Sequence, residues 1–188
     1  MVNGQEARQS RDTGRSQQLR SILLTLVCLC TVLATACLNT VEPTPGQSSS
    51  GWTLDNNKRS SLDDFKGQVV VLDFYATWCE PCREETPHLV KLQQQYQEQG
   101  LQIIGLNVGG DDDHRGIPNY AREFGIQYPL GLPDDALVER YMGDNDGIPQ
   151  AFVFNRSGRL VKRFVGFNSQ IGEEVEQAVQ AALAEKAK

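Results

Sequence analysis

The feature that most constrains this chain is a nearly unbroken apolar run, Gln68 to Tyr75 (QVVVLDFY), which ends four residues before the first cysteine of a Cys-x-x-Cys pair, Cys79 and Cys82. A run this apolar and rich in branched side chains predicts a strand buried on both faces, within a sheet that helices cover on both sides. Ala76, Thr77 and Trp78 supply a turn. Cys79 then opens a helical stretch to about Gln99, with Leu89, Leu92 and Tyr96 at helical spacing and Gly100 as its stop. Leu101 to Val108 is a second buried strand, so the segment forms a strand, helix and strand crossover, right-handed by the general rule.

The rest of the chain fits an α/β domain. Gly109 to Gly147 is less regular: Pro118 starts a short helix carrying Tyr120 and Phe124 on one side, and Asp134 caps another through Tyr141. AFVFN from Ala151 and RLVKRFV from Arg159 flank the turn residues Arg156, Ser157 and Gly158, which predicts an antiparallel hairpin. From Ser169 a final helix places Ile171, Val175, Val179 and Leu183 along one stripe.

The amino-terminal region has a different character. Residues 1–36 begin polar, with Arg8, Arg11, Arg15 and Arg20, and run into the apolar stretch Ile22 to Ala36, the order of an export signal. That stretch is shorter than the roughly 20 residues a membrane span needs. It closes as Leu33-Ala34-Thr35-Ala36-Cys37, which resembles a bacterial lipobox, with Ala34 where such boxes more often carry Leu. The resemblance implies lipidation at Cys37; a retained signal anchor and ordinary signal-peptide cleavage are the alternatives. All three put the domain on the extracytoplasmic face of a bacterial membrane. Residues 37–51, ending in VEPTPGQSSSG, are too rich in Pro, Ser and Gly to pack and are expected to be a flexible linker ahead of a domain at 52–188.

Charge and cysteine placement narrow the function classes. The net charge is −6, and without residues 1–36 the chain holds 14 basic against 22 acidic side chains. It lacks the basic face that nucleic acid requires, which leaves proteins or small thiols as partners. Of the five cysteines, Cys28 and Cys30 lie in the apolar stretch and Cys37 at its end, so only Cys79 and Cys82 belong to the domain. A disulfide between residues three apart closes too small a loop to staple a domain, and a redox-active dithiol explains the pair better. Zinc needs more ligands than the scattered His88 and His114 offer. Asp111-Asp112-Asp113-His114 lacks calcium-loop spacing and reads as a solvated loop. No metal and no cofactor are expected.

Within the dithiol the roles divide. Cys79, at a helix start, lies beside unpaired backbone N–H groups that favour its thiolate; Cys82, nearly one turn on, sits further inside and suits attack on a mixed disulfide. Pro81 occupies an early helical position where no amide is needed. Asp73 interrupts the apolar strand and should be a buried acid whose ionisation burial opposes. Glu85, by spacing alone, reads as a solvated helix residue like Glu84.

The motif Trp78-Cys79-Glu80-Pro81-Cys82 resembles the active site of thioredoxin-like proteins, and its CEPC form is similar to the TlpA/ResA group of exported thiol-disulfide oxidoreductases. The likeness covers residues 52–188 and implies a three-layer α/β/α sandwich with a mixed central sheet and the group's central insertion, here Gly109 to Gly143, lining the substrate groove. It matches Asp73 to the buried acid of thioredoxins, Pro87 to the proline of their active-site helix, and Glu85 to the active-site glutamate of ResA-type proteins, which makes Glu85 a proton-handling residue. ResA-type proteins do not all carry an acid at Asp73, so the division of labour between the two stays open.

The resemblance also places Gly147-Ile148-Pro149 where the family has a cis-proline facing the dithiol, with Trp78, Ile148 and Pro149 as substrate-binding residues. Without it, Pro149 reads as a trans proline at a strand start. It implies reduction of disulfides in exported proteins, for instance in cytochrome c maturation, with a membrane electron donor restoring the dithiol and the amino-terminal segment holding the protein at the membrane. The competing readings are an oxidase, a copper-site assembly factor using the dithiol as soft ligands, and a peroxiredoxin-type peroxidase. The last needs Pro and Thr where Leu72 and Ala76 stand.

Overall fold

The computed structural model describes residues 50–185. The expected export signal, Cys37 and nearly all of the expected linker lie outside them. The elements in order are β1 (Trp52–Leu54), β2 (Arg59–Ser60), a 3₁₀ turn (Leu62–Phe65), β3 (Val69–Tyr75), α1 (Glu80–Tyr96), β4 (Leu101–Asn107), α2 (Asp111–His114), α3 (Ile117–Phe124), β5 (Leu130–Pro133), α4 (Asp135–Met142), β6 (Gln150–Phe154), β7 (Leu160–Val165) and α5 (Ser169–Ala184).

The strands of the described residues form one mixed sheet in the order β2-β1-β5-β4-β3-β6-β7. β3, β4 and β5 run parallel, and the other pairings are antiparallel. Alternation along β3 divides the core. Val69 and Val71 pack with Leu89, Leu92 and Tyr96 of α1 and Val175, Val179 and Ala182 of α5, whereas Val70, Leu72 and Phe74 pack with Leu137 and Met142 of α4. The result is the expected three-layer α/β/α sandwich of thioredoxin-like form. β3 is an interior strand of the sheet, between β4 and β6, and is buried at every residue, so whatever follows its carboxyl end is held on a rigid base.

Gly51 is buried, its amide donating to Asp134 Oδ2 at 3.0 Å and its carbonyl accepting the Asp134 amide at 2.9 Å. Asp134 also caps α4 by accepting from the Leu137 amide at 2.7 Å. No helix of the described residues is long and apolar enough to cross a membrane.

Candidate active site

The site forms where the carboxyl end of β3 turns into the start of α1. Cys79 is the cap residue, with extended backbone, and its sulfur accepts from the Cys82 amide at 3.2 Å. That amide is one of the groups a helix start leaves without an intrahelical partner, so a thiolate at Cys79 would meet a ready donor. Cys79 and Cys82 are joined as a disulfide, with Cα atoms 5.3 Å apart. Both sulfur-bearing residues are nearly closed to solvent, Cys82 more so than Cys79. Trp78, immediately before them, is 67% exposed and gives the site a broad apolar rim.

Across from the dithiol the Ile148–Pro149 peptide is cis. The Ile148 carbonyl oxygen stands 3.8 Å from the Cys79 sulfur, so the expected proline loop does face the pair. Two connections that the sequence did not suggest hold this loop. Gln150, fully buried, donates from Nε2 to the carbonyls of Asn145 and Gly147, both at 2.7 Å. Its Oε1 accepts from Arg163 Nε at 3.0 Å, and Arg163 Nη1 donates to both oxygens of Asp144 at 2.7 and 3.0 Å. A polar residue inside the apolar stretch Gln150 to Phe154 was the available signal.

Two carboxyl groups are buried in the elements around the site, one in β3 and one in α1. Alternation puts Asp73 on the α1 side of β3, and burial pushes its carboxyl up to about 7. Glu85 is 2% exposed, and burial together with the charge of Asp73 holds its carboxyl well above the usual range. Asp73 Oδ1 and Glu85 Oε2 have no hydrogen-bond partner among the described residues. Spacing alone made Glu85 a solvated residue, and the structure corrects that. It falls on the buried stripe Cys82, Glu85, Leu89 and Leu92, and its distance of four from Leu89 was the signal available. Pro87 lies within α1 and has no amide to offer the Arg83 carbonyl.

The insertion packs against the same site. Tyr120 of α3 joins Tyr75, Ala76, Cys79 and Cys82 in one buried cluster and stacks on Tyr75 at 5.2 Å between ring centroids. The Cys82 carbonyl accepts from Thr86 Oγ1 at 2.8 Å and from the Tyr120 hydroxyl at 3.4 Å. Arg83 reaches from α1 to pair with Glu123, its guanidinium 5.0 Å from the Phe124 ring centre.

One expectation about the insertion fails. Asp111-Asp112-Asp113-His114 is a short helix rather than a solvated loop, and Asp113 is only 8% exposed. Its carboxylate accepts from the Thr77 amide at 2.9 Å, from the Thr77 hydroxyl, and from Asn107 Nδ2 at 2.7 Å. Burial raises this carboxyl, but the bonds from Thr77 and Asn107 outweigh it and leave the group below its ordinary value. The acid-rich spelling hid this, because Asp111 and Asp112 are solvent-exposed and only the third position turns inward.

Comparison with known proteins agrees with the geometry. The model of the AhpC/TSA family matches residues 45–163. Thiol-disulfide oxidoreductase ResA of Bacillus subtilis (strain 168) is 31% identical over 150 residues, spanning 77% of this chain and 82% of the relative. Among solved structures, a thiol:disulfide interchange protein of the thioredoxin family from Chlorobium tepidum TLS superposes with a TM-score of 0.62 at 30% identity, covering 72% of this chain and 94% of that one. StoA of Bacillus subtilis shares the fold, with a TM-score of 0.54 at 21% identity over 68% of this chain and 93% of its own.

Proposed function

From the premise that this chain belongs to the AhpC/TSA family and is a ResA/TlpA-like thiol-disulfide oxidoreductase of the thioredoxin superfamily, we propose that it reduces disulfides in exported proteins at a membrane surface. The observation that carries the reading is the Cys79–Cys82 disulfide at the start of α1, with the Ile148 carbonyl 3.8 Å from the Cys79 sulfur and buried carboxyls in β3 and α1.

The reduced enzyme begins with the Cys79 thiolate, held by the Cys82 amide and the start of α1. A client strand docks against Trp78 and the Ile148–Pro149 edge, pairing with its backbone. The thiolate attacks one client sulfur, a mixed disulfide forms, and the second client sulfur leaves as a thiolate that takes up a proton. Cys82 then loses its proton and attacks the Cys79 sulfur, which closes the internal disulfide and frees the client's other thiolate. Two electrons have passed from the dithiol to the client. The Asp73 and Glu85 pair, with one carboxyl ionised, takes up the single Cys82 proton, since burial makes that carboxylate a better base than an exposed one.

Residues 1–36 serve as the export signal, Cys37 as the point of attachment, and the following linker as the tether to the domain, with a membrane electron donor restoring the dithiol. Cytochrome c maturation clients are among the substrates this reading includes. The fit of the apolar stretch and its terminal cysteine to an exported, anchored chain supports it. The test is Cys82→Ser in cells: exported proteins should accumulate in covalent adducts through Cys79 that thiol reductant releases, and an absence of Cys79-dependent adducts would count against the reading.

A further inference from the structure

Thr77 lies two residues before the attacking cysteine, and every polar group it carries is tied down. Its amide and hydroxyl donate to Asp113, and its carbonyl accepts from Arg83 Nη1 at 3.4 Å. Asp113 is fixed in turn: Asn107, the last residue of β4, donates to it, and the Asn107 Oδ1 accepts from the Gly109 amide at 3.1 Å. Two glycines allow the close approach. A Cβ on Gly109 would come within 2.3 Å of an Asp113 carboxylate oxygen, and one on Gly116 within 3.1 Å of both the Thr77 hydroxyl and the Asp113 carbonyl. A segment 36 residues away in sequence therefore grips the turn that delivers the reacting sulfur.

We propose that Asp113 is a positioning residue of the thiol-disulfide reaction: its carboxylate, supported by Asn107, locks the Thr77–Trp78 turn so that the Cys79 sulfur stays against the Cys82 amide at the start of α1. The insertion thereby supplies a fixed point for the attacking thiolate. Thr77 is its direct contact. With the grip removed, the turn gains freedom, the sulfur spends less time at the helix start, and the thiolate loses part of its stabilisation.

The test is the pH profile of iodoacetamide alkylation at Cys79 in the reduced full chain, read from the mass-spectrometric fragment ions that separate Cys79 from Cys82 within their shared peptide. Thr77→Val and Asp113→Ala are compared with the wild type; Asp73, Glu85 and Arg83 are common to every arm. Loss of a helix-cap contact is the nearest analogue, which sets the expected rise of the midpoint at about half to one pH unit in Asp113→Ala. Thr77→Val, which alters no charge, should move it the same way by less. The double variant should move it no further than Asp113→Ala alone. A midpoint unchanged while the melting temperature falls would make Asp113 a structural staple only and overturn the proposal. A downward shift in Asp113→Ala with none in Thr77→Val would show that it acts by its charge, and would overturn it equally. Should Asp113→Ala fail to fold, Thr77→Val decides alone.

Discussion

Replacing Asp73 with Asn should stabilise the oxidised protein at alkaline pH and leave it nearly unchanged in acid. Asp73 is enclosed on an interior strand of the sheet, and burial raises its carboxyl from 3.8 to about 7. Between those values the folded chain holds a proton that the unfolded chain has released. Stability from this group is therefore complete below about pH 4 and declines as pH rises through about 7. At about 1.4 kcal/mol per pH unit, the interval corresponds to a ceiling of about 4 kcal/mol at pH 8.5. Asn has the shape of the protonated acid and cannot ionise. Urea denaturation without reductant at pH 4 and pH 8.5 measures the effect. The variant should lie within about 1 kcal/mol of wild type at pH 4 and exceed it by about 2–4 kcal/mol at pH 8.5, the lower end allowing for relaxation around the charge. A variant equal to wild type at pH 8.5, or weaker there, would refute the reasoning that Asp73 is ionised at the expense of the fold.

If Glu85 accepts the Cys82 proton as proposed, Glu85→Gln should make the mixed disulfide persist about tenfold longer or more, as quenched gel assays of a model client would record. Gln150→Leu frees the carbonyls of Asn145 and Gly147 that the amide now holds. The KM for a protein client should rise about fivefold or more, while alkylation of Cys79 by a small reagent is unchanged. Gly109→Ala drives a methyl group into the Asp113 carboxylate and should cost about 1–3 kcal/mol in urea denaturation.

The parts of the fold that were legible in the sequence are those in which pattern and burial coincide. β3 and β4 are mostly apolar because helices cover both faces. α1 and α5 carry stripes at helical period, and Arg156-Ser157-Gly158 marks the β6–β7 turn. β1, β2 and β5 went unread: they are three, two and four residues long, and the pairing of Trp52 with Pro133 and Ser60 makes them strands, not any alternation of their own. The site divides the same way. Cys79, Cys82 and Asp73 announce themselves as reactive or polar groups at positions that local structure makes unusual. Glu85 needed its place on the helical stripe or its likeness to ResA-type proteins to be noticed. Asp113 holds a backbone amide 36 residues away, and Gln150 is held by Arg163, 13 residues on in the neighbouring strand; such partnerships exist only once the insertion has folded onto the turn and β7 has paired with β6. Neighbouring residues cannot display a contact of that range.

The direction of electron flow is the central claim that a single number tests most directly. Equilibration of the Cys79/Cys82 couple against glutathione or dithiothreitol of known potential gives its reduction potential. A reductase of exported disulfides requires a value near the thioredoxin range, about −270 mV. A value near about −120 mV, that of a strong oxidant, would contradict the account and assign the same dithiol to forming disulfides.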